Sequence, residues 1–479
     1  MTIAYTDKQG ESAQVDSEQA ATKSTKDSAV KDSSVGDKPV KDNTPDDKVS
    51  PEDKELDFGC EYTDNLPQIL KELNISLAVT SYQTGRLIIV RSDGESIDVN
   101  FKSFQRPMGL AATEDGLTLG TFTEIVHFQR EDGLLETIKQ PLSKIEDDIT
   151  APRIKPKETS EKTPELQAEE LEEDDLSEKQ KAQRAQLKAE KENAYLPVDE
   201  DVDACFISRS VHYSGMINIH DIDWGDEGLW VVNSSFSCLC TIEPDHSFIP
   251  RWKPHFISEL KPEDRCHLNG MTLKDGKPAY VTTFSQEDKA GMWRTKEGKF
   301  NGTLMAVASN EILLDGLAMP HSPRWYNDKV YFCNSGHGHI CSYEPDTKTS
   351  EILAEVPGFT RGMDFYGPIM FVGLSKVREG DVTRPAPLAQ KYDETFSGIW
   401  LMNINDESLI ASSGKNNAAT PENTREIAHL KFTGNVDQIY DIAVIPNCNY
   451  PEIIEPSHPR LRNHFSHPEL RPLNNGNKL

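Results

Sequence analysis

Six residues stand at matching places along the 479-residue chain: Met108, His220, Asn269, His321, Arg361 and Tyr440. Met108, His220, His321 and Arg361 each precede a strand-end residue (Thr121, Asn233, Asn334 and Leu374) by 13 positions, and Asn269 precedes Thr283 by 14. His220 and His321 can serve as general acid and base, because imidazole changes charge near neutral pH. Alternatively they can bind a divalent metal, with Asp221 or Asn269 completing the shell. Arg361 can grip a carboxylate or phosphate bidentately, and Arg106 adds a second positive charge. His220, His321 and Arg361 are therefore the expected catalytic residues. Asn269, Tyr440, Asp221, Arg106 and Asn334 are the expected ligand contacts. Asp364 and Asp441 stand close by, and Asn233, Thr283 and Ser375 offer hydrogen bonds at a rim.

These residues need elements that converge, and a repeat supplies them. Short apolar runs ending in small polar residues begin at Leu77, Leu117, Leu229, Ala279, Val330 and Met370. Five are preceded by a second element: "RPMGLA", "IHDIDW", "HLNGMTL", "PHSPRW" and "TRGMDF". A sixth copy, "QIYDIAVI", stands near the end of the chain with no run after it. The connections "TEDG", "GDEG", "KDGK" and "YNDK" are hairpin turns. Strands of five or six residues at this spacing predict an all-β fold, a six-bladed β-propeller. The unpartnered first run and the unpartnered last element are expected to pair and close the ring, abolishing both sheet edges. The aligned residues then face the mouth of a central channel, where different polar types gather as a ligand site requires.

The segment "MPHSPRWYNDKVYFCNSGHGHI" is one such hairpin, so His337 and His339 fall in its return turn, where a polar loop is a better reading than a metal site. The eight cysteines form no C-x-x-C pair and read as reduced thiols, with Cys333 and Cys341 facing each other across that hairpin. No G-x-S-x-G, P-loop or Rossmann glycine pattern occurs, which argues against nucleotide chemistry.

A net charge of -28 argues against nucleic acid and anionic membrane surfaces as partners. The first residues lack the apolar stretch of a secretory signal, and no run of about 18 apolar residues is present, so a cytoplasmic location is expected. Residues 1–60 are polar and read as a disordered arm. Propeller sequence occupies 61–130 and 201–450. Between them, 131–200 is a charged insertion, "ELQAEELEEDDL" followed by charge alternation at helical spacing, which reads as disordered or as a solvated helix. The tail, 451–479, reads as an extended wrap.

The stretches "DACFISRSVHYSGMINIHDIDW", "LWVVNSSFSCLCTI", "HLNGMTL" and "GFTRGMDFYG" resemble those of a bacterial family of conserved hypothetical proteins of unknown function. The resemblance runs from about residue 73 to 451. A looser similarity is to six-bladed propellers of the gluconolactonase and strictosidine-synthase type, which implies a channel metal held by Glu, Asn and Asp. Here Asn269 alone stands where such an Asn would. Two functions are expected from these observations. One is a binder, with catalysis left open, of a small anionic or sugar-like ligand at the channel mouth; a divalent metal is its candidate cofactor. The other is a scaffold for a protein partner, with the charged insertion as an interaction arm.

Overall fold

The computed structural model describes residues 57–140, 198–295, 298–377, 386–404, 426–456 and a few positions from 458 to 467. The expected arm up to residue 56, the charged insertion from 141 to 197 and most of the tail lie outside the described residues.

Six sheets, antiparallel except for one added outer strand, form the blades. In chain order their innermost strands are Asp441–Pro446 (blade 1), Leu110–Ala112 (blade 2), Ile219–Gly225 (blade 3), Leu268–Lys274 (blade 4), Pro320–Tyr326 (blade 5) and Phe359–Tyr366 (blade 6). Each of the six apolar runs supplies the second strand of one blade: Ile75–Ser81, Gly116–Gly120, Gly228–Asn233, Lys277–Thr283, Lys329–Asn334 and Ile369–Ser375. These strands are buried on both faces, which is why they read as apolar runs and not as alternation. Leu77 and Val79 pack toward blade 6 with Phe371 and Ile399. Ala78, between them, packs toward blade 2 with Leu117 and Leu119.

The ring closes as expected. Ile75–Ser81 pairs antiparallel with Asp441–Pro446 from Ile75 opposite Pro446 to Thr80 opposite Asp441. The chain then continues past the closure at both ends. Cys60–Tyr62 adds to the outer strand of blade 6, and Pro451–Ile454 runs parallel to the outer strand of blade 2. The first strand therefore begins at the end of the expected arm, and the first residues of the expected tail are a buried strand. Residues Asp132–Leu134 and Leu135–Ile138, at the start of the expected insertion, form helical turns that bury Leu134 and Ile138 against Cys205, Ile207 and Ile454.

Neighbouring inner strands are latched by side chains. Asp364 accepts from the Val444 N–H (2.7 Å), Asp441 from Leu110 (3.1 Å), Asp221 from Met271 (3.0 Å), Thr272 from Trp325 (2.7 Å) and Ser322 from Gly362 (2.9 Å). Five of the six blade junctions thus satisfy a backbone N–H that has no strand partner on the channel side. All eight cysteines are free thiols, seven of them buried. Cys333 lies opposite Ile340 and Cys341 opposite Phe332, so the two do not face each other across the hairpin. Among the described residues no helix is long and apolar enough to cross a membrane.

Where inner strands approach most closely, a side chain does not fit. Gly362 has φ +78°, and a Cβ there would lie 2.8 Å from the Asp441 Cα. Gly362→Ala combines left-handed strain with that clash, so it is expected to destabilise the protein by about 2 kcal/mol or more. Chemical denaturation checks this; a loss below about 0.5 kcal/mol would contradict the packing described.

Candidate functional site

One channel mouth is lined by a belt of rings and cations to which all six blades contribute. His220 of blade 3 meets the Tyr440 ring of blade 1 edge-on (centroids 5.5 Å) and the His267 ring of blade 4 (4.6 Å). His267 stacks on Trp293 (3.9 Å) and touches Phe284 (4.7 Å). Phe284 meets His321 of blade 5 (5.0 Å), and His321 meets Phe359 of blade 6 (5.5 Å). The Arg361 guanidinium lies 3.6 Å from the centre of the Tyr440 ring, and Arg106 of blade 2 lies over Phe122. His220 and His321, expected at one mouth, share it with Arg361 and Tyr440.

The backbone leading into the inner strands explains this convergence. Arg106, Asn218, His267 and Met319 each stand two residues before an aligned position, and each adopts a left-handed conformation (φ 48°, 53°, 51° and 50°). Such φ values are uncommon for residues with a Cβ and persist only where the surroundings enforce them, often at functional sites. The repeated twist swings Arg106 and His267 into the belt. The His220 Nδ1 donates to the Asn218 carbonyl (3.0 Å), the His267 Nδ1 to the Asp264 carboxylate (3.0 Å), and the His321 Nδ1 contacts the Ser335 hydroxyl (2.9 Å).

Burial and neighbouring cations set the protonation of the rings at the mouth. Burial, then the His267 ring and Arg361, hold His220 well below the ordinary imidazole range. Burial, then Arg361 and the other two histidines, do the same for His321. Both rings are therefore neutral at pH 7. Among the described residues neither Arg106 nor Arg361 has a carboxylate within ion-pair distance. The Tyr440 hydroxyl is buried without a well-aligned hydrogen-bond partner, and burial pushes its pKa up. Among the described residues no group of three or more His, Cys, Asp or Glu side chains is placed to hold a metal ion.

A second cluster sits at the channel waist. Arg324 pairs with Asp221 (2.9 Å) and Asp441 (3.3 Å), and donates to the carbonyls of Met363 (2.9 Å), Met271 (3.3 Å) and Pro323 (2.9 Å). Burial raises the Asp441 carboxyl against the pull of Arg324, and Asp221 adds to the rise; burial raises Asp364 as well. One cation thus serves several acids.

A family described as "Domain of unknown function (DUF4915)" matches residues 64–158 and 166–454. The chain belongs to this DUF4915 family. No curated protein matches it. Solved structures similar to it include a nidogen/laminin complex, at 8% identity and a TM-score of 0.39, covering 78% of this chain and 99% of that one. Another is the computationally designed Ika8 protein, at 8% identity and a TM-score of 0.29, covering 77% of this chain and 81% of that one. The looser similarity to gluconolactonase-type propellers finds no support among these matches.

In this DUF4915 protein the expected site residues divide into two groups. His220, His321, Arg361, Tyr440 and Arg106 meet in the belt. Asp221 and Asn269 are occupied by the fold: Asp221 holds Arg324 and the Met271 N–H, and the Asn269 amide bonds the Pro320 carbonyl (2.8 Å) and the Thr282 hydroxyl (2.7 Å). Asn334 accepts from the Ala318 N–H (2.8 Å) and shapes the turn behind the belt. Met108 is buried, and its carbonyl accepts from Thr80. His337 and His339 stack on each other outside the belt (5.0 Å). Sequence reasoning missed His267, Phe284, Trp293 and Arg324.

Removing Arg324 leaves Asp221 and Asp441 buried without a counter-ion, which typically costs about 3 kcal/mol or more. Asp441 holds its proton in the folded state at pH values where the unfolded chain has lost it, so the folded state binds more protons and stability falls as pH rises. Without the guanidinium this fall steepens. Arg324→Met is expected to lower the melting temperature at pH 6 and to lower it further at pH 9. Thermal unfolding across that range checks it, and an equal loss at every pH would contradict the assignment.

Proposed function

We propose that this protein binds a small anionic molecule at the belt mouth. The observation that supports this most directly is the pair of arginines, Arg106 and Arg361, beside the neutral rings of His220 and His321 and, among the described residues, with no carboxylate paired to them. In a chain of net charge -28, where most other partly buried arginines are paired, two unpaired ones at one mouth leave positive potential unspent. Low-dielectric walls of Tyr440, Phe284, Phe359 and Trp293 strengthen that potential and offer flat surfaces for stacking. Convergence of differing polar groups from separate blades is the arrangement a specific ligand site needs.

Catalysis is not required by this reading. In this reading His321, its ring held by Ser335, would act as a base only where a bound anion raised its lowered pKa. The charged insertion lies outside the described residues, and no observation favours the scaffold reading over the anion site.

The test is a thermal-shift and calorimetric screen of the full chain with D-gluconate, citrate, D-glucose 6-phosphate and inorganic phosphate, with D-glucose as the neutral control. At least one anion is expected to bind below millimolar concentration, and more weakly at high salt. Arg361→Leu is expected to weaken that anion about 10- to 100-fold, the loss of one charge-assisted contact. Absence of any anion-dependent shift, or equal affinity in Arg361→Leu, would overturn the proposal.

A further inference from the structure

The hydrogen-bond chain behind His321 fixes which of its nitrogens carries the proton. Ser335 Oγ lies 2.6 Å from the Thr360 carbonyl, which can only accept, so the single hydroxyl proton of Ser335 is committed there. The contact between His321 Nδ1 and the same hydroxyl (2.9 Å) must then be made with the imidazole as donor. The ring is neutral, so Nε2 carries no hydrogen and is a bare acceptor. It is buried (the residue is 2% exposed) and has no hydrogen-bond partner. His220 is set the same way, because its Nδ1 faces the Asn218 carbonyl and must donate. Two buried imidazoles, each protonated at Nδ1, therefore share the mouth with Arg106 and Arg361, neither of which has a carboxylate within ion-pair distance among the described residues, while the Asp264 carboxylate is taken up by His267 and Trp293.

A buried acceptor left unmatched costs free energy. A simple anion does not relieve that cost, since carboxylate and phosphate oxygens accept and do not donate. A cation relieves it poorly, because it would sit beside two guanidinium groups, and no group of three or more ligating side chains is placed to hold one among the described residues. The complementary guest has both an anionic end and hydroxyl groups.

We propose that the ligand of this mouth is a hydroxylated anion, a polyhydroxy carboxylate or a sugar-type phosphate ester. Its hydroxyls donate to Nε2 of His321 and His220 while Arg361 and Arg106 hold its charge. The proposal rests on the anion site argued above and adds the donor requirement. Ser335 is a positioning residue, since it acts through the His321 tautomer.

Matched pairs separate the two readings: D-gluconate against hexanoate, and glycerol 3-phosphate against propyl phosphate, each titrated calorimetrically into the full chain. In at least one pair the hydroxylated member is expected to bind at least tenfold tighter, and the pair in which it does identifies the anionic group. His321→Phe is expected to shrink the difference several-fold, with His220 left as the remaining acceptor. Should that variant fold poorly, Ser335→Ala serves in its place. Long-range proton–nitrogen correlation spectra are expected to show the His321 ring protonated at Nδ1 in the free protein and redistributed in Ser335→Ala. Equal binding within both pairs, an Nε2-protonated His321, or a stoichiometric metal in the purified protein would overturn this inference and leave the anion site standing. Failure of every member to bind would overturn both.

Discussion

Everything in this molecule depends on a strand from the end of the chain lying beside one from its beginning. The pairing of Ile75–Ser81 with Asp441–Pro446 completes blade 1, and it also brings Tyr440 and Asp441 to the channel. Thr80 makes the junction specific. Its hydroxyl accepts from the Asp441 N–H (3.1 Å) and donates to the Met108 carbonyl of blade 2 (2.6 Å), while its carbonyl accepts from the Tyr440 N–H (2.7 Å). A slip of one residue would turn Leu77 and Val79 away from the blade 6 core and break all three bonds. The two flanking strands, Cys60–Tyr62 and Pro451–Ile454, reinforce the seam from the outside, so both ends of the ring are held by more than one strand.

The channel divides into two chemical zones because side chains alternate along each inner strand. His220 faces the belt and Asp221, its neighbour, faces the waist; Tyr440 and Asp441 repeat the division. The waist acids satisfy backbone donors across blade junctions and need one cation among them. The belt has a different balance: Asp264 is held by His267 and Trp293, and among the described residues Arg106 and Arg361 have no carboxylate within ion-pair distance. The same six strands thus carry acids that serve assembly at one level and rings and guanidinium groups at another.

Much of the fold was legible in the sequence because its strands are short, apolar and evenly spaced, and hairpin turns mark them. The aligned column gathered His220, His321, Arg361 and Tyr440, which lie near one another because equivalent positions in a radial repeat must converge. It also took in Asn269 and Asp221, which the fold employs, because residue type does not reveal which face of a strand a side chain takes. His267 was missed for a related reason: it stands two positions before the column and reaches the belt only through a left-handed backbone that no residue type announces. Arg324 left a fainter trace. Asp221, Asp364 and Asp441 recur near one level of the repeat, and buried acids in such number demand a nearby base. Phe284 and Trp293 come from loops whose path no periodicity encodes.

The guanidinium of Arg324 touches groups from blades 1, 3, 4 and 6 besides its own, and it occupies the axis. One side chain therefore ties together the inner strands of five blades, so its loss would loosen all of them at once.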